Sequence, residues 1–225
     1  MTRRPLAALL AATLCTAPVL GWAADRDIDK VNGSINVDAG ERVGMLETVN
    51  GSITINAGAR SRNAETVNGG IRVEANAQVG SLETVNGSIR VAGNVQVGGD
   101  VETVNGSVLV DRGSRVRGGV ETVNGAIGLV DADLTGGIET VNGDVTVGAG
   151  SHVGGGILYA KSQSWINYKP KNKRDPRVII GPNAVVEGPL VFERTVELYV
   201  HGTARTGPIT GATAVRYSTE RAPVK

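Results

Sequence analysis

The tripeptide Val-Asn-Gly occurs seven times, beginning at Val31, Val49, Val67, Val85, Val104, Val123 and Val141, with steps of 18, 18, 18, 19, 19 and 18 residues. Six of the copies lie inside the longer string Glu-Thr-Val-Asn-Gly. A unit of this size cannot bury an apolar face alone, so copies at a fixed period must stack on one another. A period sustained from about residue 29 to 157 therefore predicts a solenoid.

A finer period of six runs inside each unit: Val31, Val37, Val43, Val49 and Ile55 follow it, as do Val67, Val73, Val79, Val85, Val91 and Val97. It slips by one before Val104 and Val123 and weakens at Ser61 and Thr135. An amphipathic helix would need a stripe near 3.6, and the apolar positions are dominated by β-branched residues. The expected fold is all-β: a single-domain, three-sided β-helix with coils of ~18 residues, the hexad accepting either hand. About nine coils at ~4.8 Å each make a rod near 45 Å long.

The second hexad shows the clearest inward face. Ile35/Val37, Ile53/Ile55, Ile71/Val73, Ile89/Val91, Val108/Val110, Ile127/Leu129 and Val145/Val147 alternate with small or polar residues, so these pairs should stack as aliphatic ladders. The third hexad offers one aliphatic (Val43, Val79, Val97, Val116 or Val153) beside small residues such as Ala77 and Ser114. The first hexad is ambiguous, because Leu46 and Val49 have opposite parity. One arrangement turns Leu46, Thr48 and Asn50 inward and leaves a valine stripe outside; the other turns Val49 inward and breaks the strand. The first is preferred, since it keeps the column Glu47, Glu65, Glu83, Glu102, Glu121 and Glu139 out of the core.

Each Asn-Gly is expected at a corner, where asparagine tolerates the left-handed region and glycine accepts positive φ. Stacked one coil apart, Asn32, Asn50, Asn68, Asn86, Asn105, Asn124 and Asn142 are placed to hydrogen-bond amide to amide, a structural role. The glutamate column stacks like charges, which destabilises modestly. A single file of carboxylates lacks the convergent oxygen shell that calcium requires, so no metal or other cofactor is predicted.

Residues 1–23 read as a secretory signal: Arg3 and Arg4, an apolar run from Pro5 to Leu20, and small residues Gly21 and Ala23 before a cleavage site at Ala24. The apolar run is short for a membrane span, and nothing after Ala24 is apolar enough to cross a bilayer. Cys15, the only cysteine, follows Leu14 and so lacks the small residue that a lipoprotein signal places there. A mature chain without cysteine has no disulfide, thiolate nucleophile or thiolate metal site. Cleavage removes Arg3 and Arg4 and no acid, moving the formal net charge from +1 to about −1. No field of that size points to nucleic acid. The expected location is periplasmic, extracellular or at the cell surface.

The solenoid is expected over residues 24–217, with regular repeats at 29–157. Residues 161–177 interrupt the hexad with aromatics, prolines and cations, giving a protruding candidate interaction loop that contains Trp165, Tyr168, Lys169, Lys171, Lys173 and Arg174. Bracing of the faltering repeat is its alternative role. The hexad resumes at Ile180, Val186, Phe192, Leu198, Ala204 and Thr210 through further coils at 178–217, and 218–225 is a tail.

The Glu-Thr-Val-Asn-Gly-x-Ile-x-Val units resemble those of a bacterial family of adhesin-like proteins with β-strand repeats behind a signal peptide. The segment Ile180 to Gly211 also resembles bactofilins, polymer-forming β-helices with similar hexads. The resemblance implies a β-solenoid at the cell envelope and supplies no catalytic residues. The function expected is thus a non-enzymatic, exported scaffold or adhesin-like rod, self-associating through its ends or contacting an envelope glycan or surface. The alternative is a polysaccharide-binding or polysaccharide-active β-helix. An active site should break the repeat locally, as Asp131-Ala132-Asp133 does; a hexapeptide acyltransferase would need a histidine base, and only His152 and His201 are present.

Overall fold

The computed structural model describes residues 25–161, 174–219 and 222–223. Its strands form three parallel sheets, of ten, seven and ten strands, visited in turn by each coil. The result is a three-sided β-solenoid of about nine turns, as the hexad predicts. The first sheet runs from Ile28–Asn32 through Leu46–Asn50 and its equivalents to Ile209–Thr210. The second carries Ile35–Val37, Ile53–Ile55 and their successors to Ala214–Tyr217, and the third consists of two-residue strands from Gln78–Val79 to Arg205–Thr206.

Register follows the repeat. Ile53 pairs with Ile71, Ile71 with Ile89, Ile89 with Val108 and Val108 with Ile127, so like residues stack on like. Both members of each second-sheet pair from Ile35/Val37 to Val145/Val147 are buried, as are Val43, Val79, Val97, Val116 and Val153 of the third sheet. At Thr135 the hexad misleads: Thr135 is exposed, and the neighbouring Leu134 fills the position paired with Val116.

In the first sheet Leu46 and Thr48 point inward and Val49 is exposed, which is the preferred arrangement for those three residues. Asn50 corrects it: with Asn32, Asn68, Asn86, Asn105 and Asn124 it is exposed at the end of the strand. The corner begins there, and the alternation that would turn an asparagine inward has ended.

The conformational reason for Asn-Gly also needs correction. No asparagine of this series has positive φ, and among their glycines only Gly33 and Gly143 do, at 110° and 145°. These glycines are needed because the corners stack closely. A Cβ on Gly69, Gly87, Gly106, Gly125 or Gly143 would lie 1.8–2.0 Å from the carbonyl oxygen of the glycine one coil earlier. Most left-handed residues sit instead at the corner between the second and third sheets: Gly40, Gly58, Asn76, Asn94, Gly113, Asp131, Gly150 and Asn183, while Gly211, at 82°, follows the last strand of the first sheet.

The chain leaves the repeat after Ile157–Tyr159 and resumes at Arg177–Ile180, so Arg177 belongs to a strand rather than to the loop predicted over 161–177. Ile180, Val186, Phe192 and Leu198 are buried as expected. Thr210 is exposed, and Ile209 instead packs against the core. Tyr217 is buried in the last coil, its hydroxyl donating to the Ile180 carbonyl at 3.3 Å and its ring edge-on to His201. The candidate leader 1–23 and the tail beyond residue 223 lie outside the described residues.

Candidate functional site

The first sheet and its corner carry the most regular surface chemistry. Each asparagine donates its Nδ2 to the Oδ1 of the asparagine one coil earlier, from Asn142 through Asn124, Asn105, Asn86, Asn68 and Asn50 to Asn32, at 2.9–3.1 Å. All seven predicted corner asparagines are thus in one row. A donor and an acceptor on each amide allow such a row to propagate without an unpaired group inside it, each bond contributing about 0.5–1.5 kcal/mol. Arg194 terminates the row, its Nη1 donating to Asn142 Oδ1 at 2.6 Å and to the Val141 carbonyl at 3.0 Å.

Behind the asparagines runs a buried threonine column. Thr48, Thr66, Thr84, Thr103 and Thr122 donate to the carbonyls of Gly33, Gly51, Gly69, Gly87 and Gly106 at 2.8–3.1 Å. Each hydroxyl satisfies a corner carbonyl that points toward the interior, as a buried polar group requires. Thr140 is the exception, buried with no partner among the described residues. One coil later Tyr159 replaces the threonine and reaches the Gly143 carbonyl at 2.6 Å, with Arg194 5.8 Å above its ring. Tyr159 and Arg194 thus close the threonine and asparagine columns at the last coil before the repeat is interrupted. The threonine role was missed from sequence, although its constant place in Glu-Thr-Val-Asn-Gly was the signal.

Outside the sheet, Glu47, Glu65, Glu83, Glu102, Glu121 and Glu139 stand in register and half-buried. Burial, and then the charges of Glu102, Glu139 and Asp100, push the Glu121 carboxyl from 4.5 up to about 7. Glu65 and Glu102 are raised by burial first and by neighbouring carboxylates second. A carboxyl whose folded pKa exceeds its unfolded value binds more protons when folded, so its contribution is full below the unfolded pKa and is lost as pH rises through the folded one. The rod should therefore melt higher at pH 5 than at pH 8, reversing the usual acid sensitivity. Glu121→Gln should flatten that slope and raise stability at pH 8 by about 1–2 kcal/mol after solvent screening. Thermal melts of both proteins from pH 4.5 to 8 check this. Below that window the opposite groups take over. The Met45 amide and then Arg62 hold Asp27 below its usual value. At Asp144 burial works upward, but Arg174 and the Arg177 amide outweigh it and hold the carboxyl down.

Of the candidate loop, Trp165, Tyr168, Lys169, Lys171 and Lys173 lie outside the described residues. Arg174 is described, and its guanidinium forms two hydrogen bonds to Asp144, at 3.1 and 2.5 Å. The charge of Arg174 is thus already engaged at the point where the chain returns to the rod. Asp133 pairs with Arg115 at 3.1 Å and His152 meets Glu187 at 2.9 Å, while Asp131 occupies its left-handed corner. His201 is engaged with Thr203 at 2.9 Å and faces Tyr217. Among the described residues no group of three or more His, Cys, Asp or Glu is placed to hold a metal ion, and no helix is long and apolar enough to cross a membrane.

The third sheet presents a second surface. Arg42, Arg60, Gln78, Gln96 and Arg115 are exposed and in register along the rod. The column continues through Asp133 to His152. An open groove of about 420 Å³ lies over its first coils.

Comparisons of this chain with family models, with curated proteins and with solved structures find no match.

Proposed function

We propose that this chain is a non-enzymatic, exported structural rod of the bacterial cell envelope, adhesin-like in displaying long regular faces. The observation that supports this reading best is the unbroken amide row from Asn32 to Asn142, flanked by in-register threonines and glutamates. Such columns rigidify a rod and repeat one chemical surface many times, whereas catalysis needs a local departure from the repeat that gathers unlike groups. The export signal of residues 1–23 supplies the location.

Assembly through the ends is part of the proposal. Within the described residues, Ile28–Asn32 is an edge strand paired on one side, with Val31 66% exposed. Unpaired edges template association unless blunted. Charged residues beside this edge are partly committed to the rod, Asp27 accepting from the Met45 amide at 2.7 Å and from Arg62 at 2.8 Å.

Fractionation of cells producing the tagged protein, with electron microscopy of the purified rod, tests the reading. The expected result is an envelope or extracellular protein forming rods near 45 Å long or end-to-end multiples of them. A protein retained in the cytoplasm with its leader uncleaved would overturn the reading.

A further inference from the structure

We propose that the groove on the third sheet, floored by Ser61 and flanked by Arg42, Arg60 and Gln78, binds a linear carboxylated polysaccharide, a polyuronate, laid along the rod axis. This rests on the reading of the chain as an envelope rod and names the glycan class that one of its faces takes.

The groove lies over a departure from the repeat. Val43 and Val79 fill the inward position of their coils, but Ser61 stands between them in the same column and fills less space. Arg42, Arg60, Arg62, Asn63 and Gln78 line the open groove of about 420 Å³ over these coils, together with Ser61. The Ser61 hydroxyl is enclosed and has no hydrogen-bond partner among the described residues.

Charge sets the ligand's sign. Arg42 and Arg60 are direct neighbours across one coil, and neither has a carboxylate within ion-pair distance among the described residues. Like charges directly opposite one another destabilise a sheet. Farther along, Arg115 is paired with Asp133, the next member of the same column. The free stretch is therefore confined to the coils of Arg42, Arg60, Gln78 and Gln96. Asp25 also lines the groove, and Asp27 offsets Arg62, so the surplus positive charge comes from Arg42 and Arg60.

The side-chain types set the class. Guanidinium groups bind carboxylates through two parallel hydrogen bonds, and the amides of Asn63, Gln78 and Gln96 donate and accept as sugar hydroxyls require. A coil rise of ~4.8 Å is close to the rise of one pyranose residue in an extended glycan, so successive sugars meet successive coils. Nucleic acid fits less well, because the aromatics among the described residues, Tyr159, Phe192, Tyr199 and Tyr217, are all buried and offer bases no stacking platform. The other stacked pair, Arg72 and Arg90 on the second sheet, already has Glu74 at 4.0 Å, and its row continues as Leu109 and Gly128.

The test is calorimetric titration of the purified protein with hexagalacturonate, its methyl ester, polyphosphate and single-stranded DNA. Binding of the hexagalacturonate is expected, with the ester at least about tenfold weaker, since each charge-assisted hydrogen bond contributes about 1.5–3 kcal/mol. Arg42→Gln with Arg60→Gln should weaken binding by about tenfold or more, while Arg72→Gln with Arg90→Gln should leave it within about twofold. If the first double variant melts abnormally, Gln78→Glu replaces it and should weaken binding by charge repulsion. The proposal is overturned by no binding to the wild-type protein, by equal loss in the two double variants, or by polyphosphate or DNA binding as tightly as the hexagalacturonate. Absence of binding in a protein that fractionates to the envelope overturns the groove alone. A cytoplasmic protein that binds overturns the envelope reading alone.

Discussion

Ile89→Asp is expected to abolish cooperative folding of the central coils. Ile89 is 1% exposed and stacks between Ile71 and Val108, so the substitution removes an aliphatic rung and places a carboxylate where no cation or amide reaches it. Loss of the side chain's packing costs about 2–5 kcal/mol, and burying the charge adds several more. A total above about 5 kcal/mol is comparable with the stability of a whole domain. Because each coil contacts only its neighbours, the rod should split at this level, with the coils on either side retaining structure. Limited proteolysis should then cut near residue 89, and the far-UV circular dichroism melt should broaden and fall. Ile89→Val should cost only about 1 kcal/mol. A wild-type melting curve for Ile89→Asp would mean that the inward ladder is wrongly assigned.

Gly87→Ala is the second large effect, and it separates two explanations of Asn-Gly. If the glycine served left-handed geometry alone, alanine would cost about 1–2 kcal/mol. The structure instead puts the new Cβ 1.9 Å from the Gly69 carbonyl oxygen, and backbone cannot retreat as a flexible side chain can. Either the coils separate locally, breaking the hydrogen bond from the Gly69 amide to the Asn86 carbonyl and the Thr84 contact to Gly69, or the corner distorts. The expected cost is about 3 kcal/mol or more, the upper end for overpacking. Gly58→Ala is the comparison, with φ at +70° and open space around its Cβ. It should cost about 1–2 kcal/mol, purely for conformation. Denaturant titration of both variants decides; equal costs would show that close stacking is not what requires the Asn-Gly glycines.

Much of the fold was legible because the repeat carries its own register. A period of 18–19 residues aligns Ile71 with Ile89 and Asn68 with Asn86, and that alignment is the observed pairing. The orientation of Leu46, Thr48 and Val49 followed from the cost of burying the glutamate column. The asparagine row was legible as well, because identical amides one coil apart have few other partners. What was not legible belongs to contacts between unlike positions. The bonds from Thr84 to the Gly69 carbonyl and from Arg194 to Asn142 join residues 15 and 52 positions apart, and no repeat links them. The groove was hidden for a related reason: its surface appears only once Arg42, Arg60 and Gln78 are brought side by side.

The sequence by itself determined the class of fold, the number of faces, the coil length and which aliphatics form the ladders, because periodicity is a one-dimensional property that stacking converts directly into register. Tertiary structure alone decided how tightly the corners approach, and so why glycine follows asparagine. It also decided which residue in each coil takes the left-handed turn and which surface arginines are left without acids. Those outcomes depend on distances across the stack, where a displacement of one ångström separates a hydrogen bond from a collision and a neutralised charge from a free one.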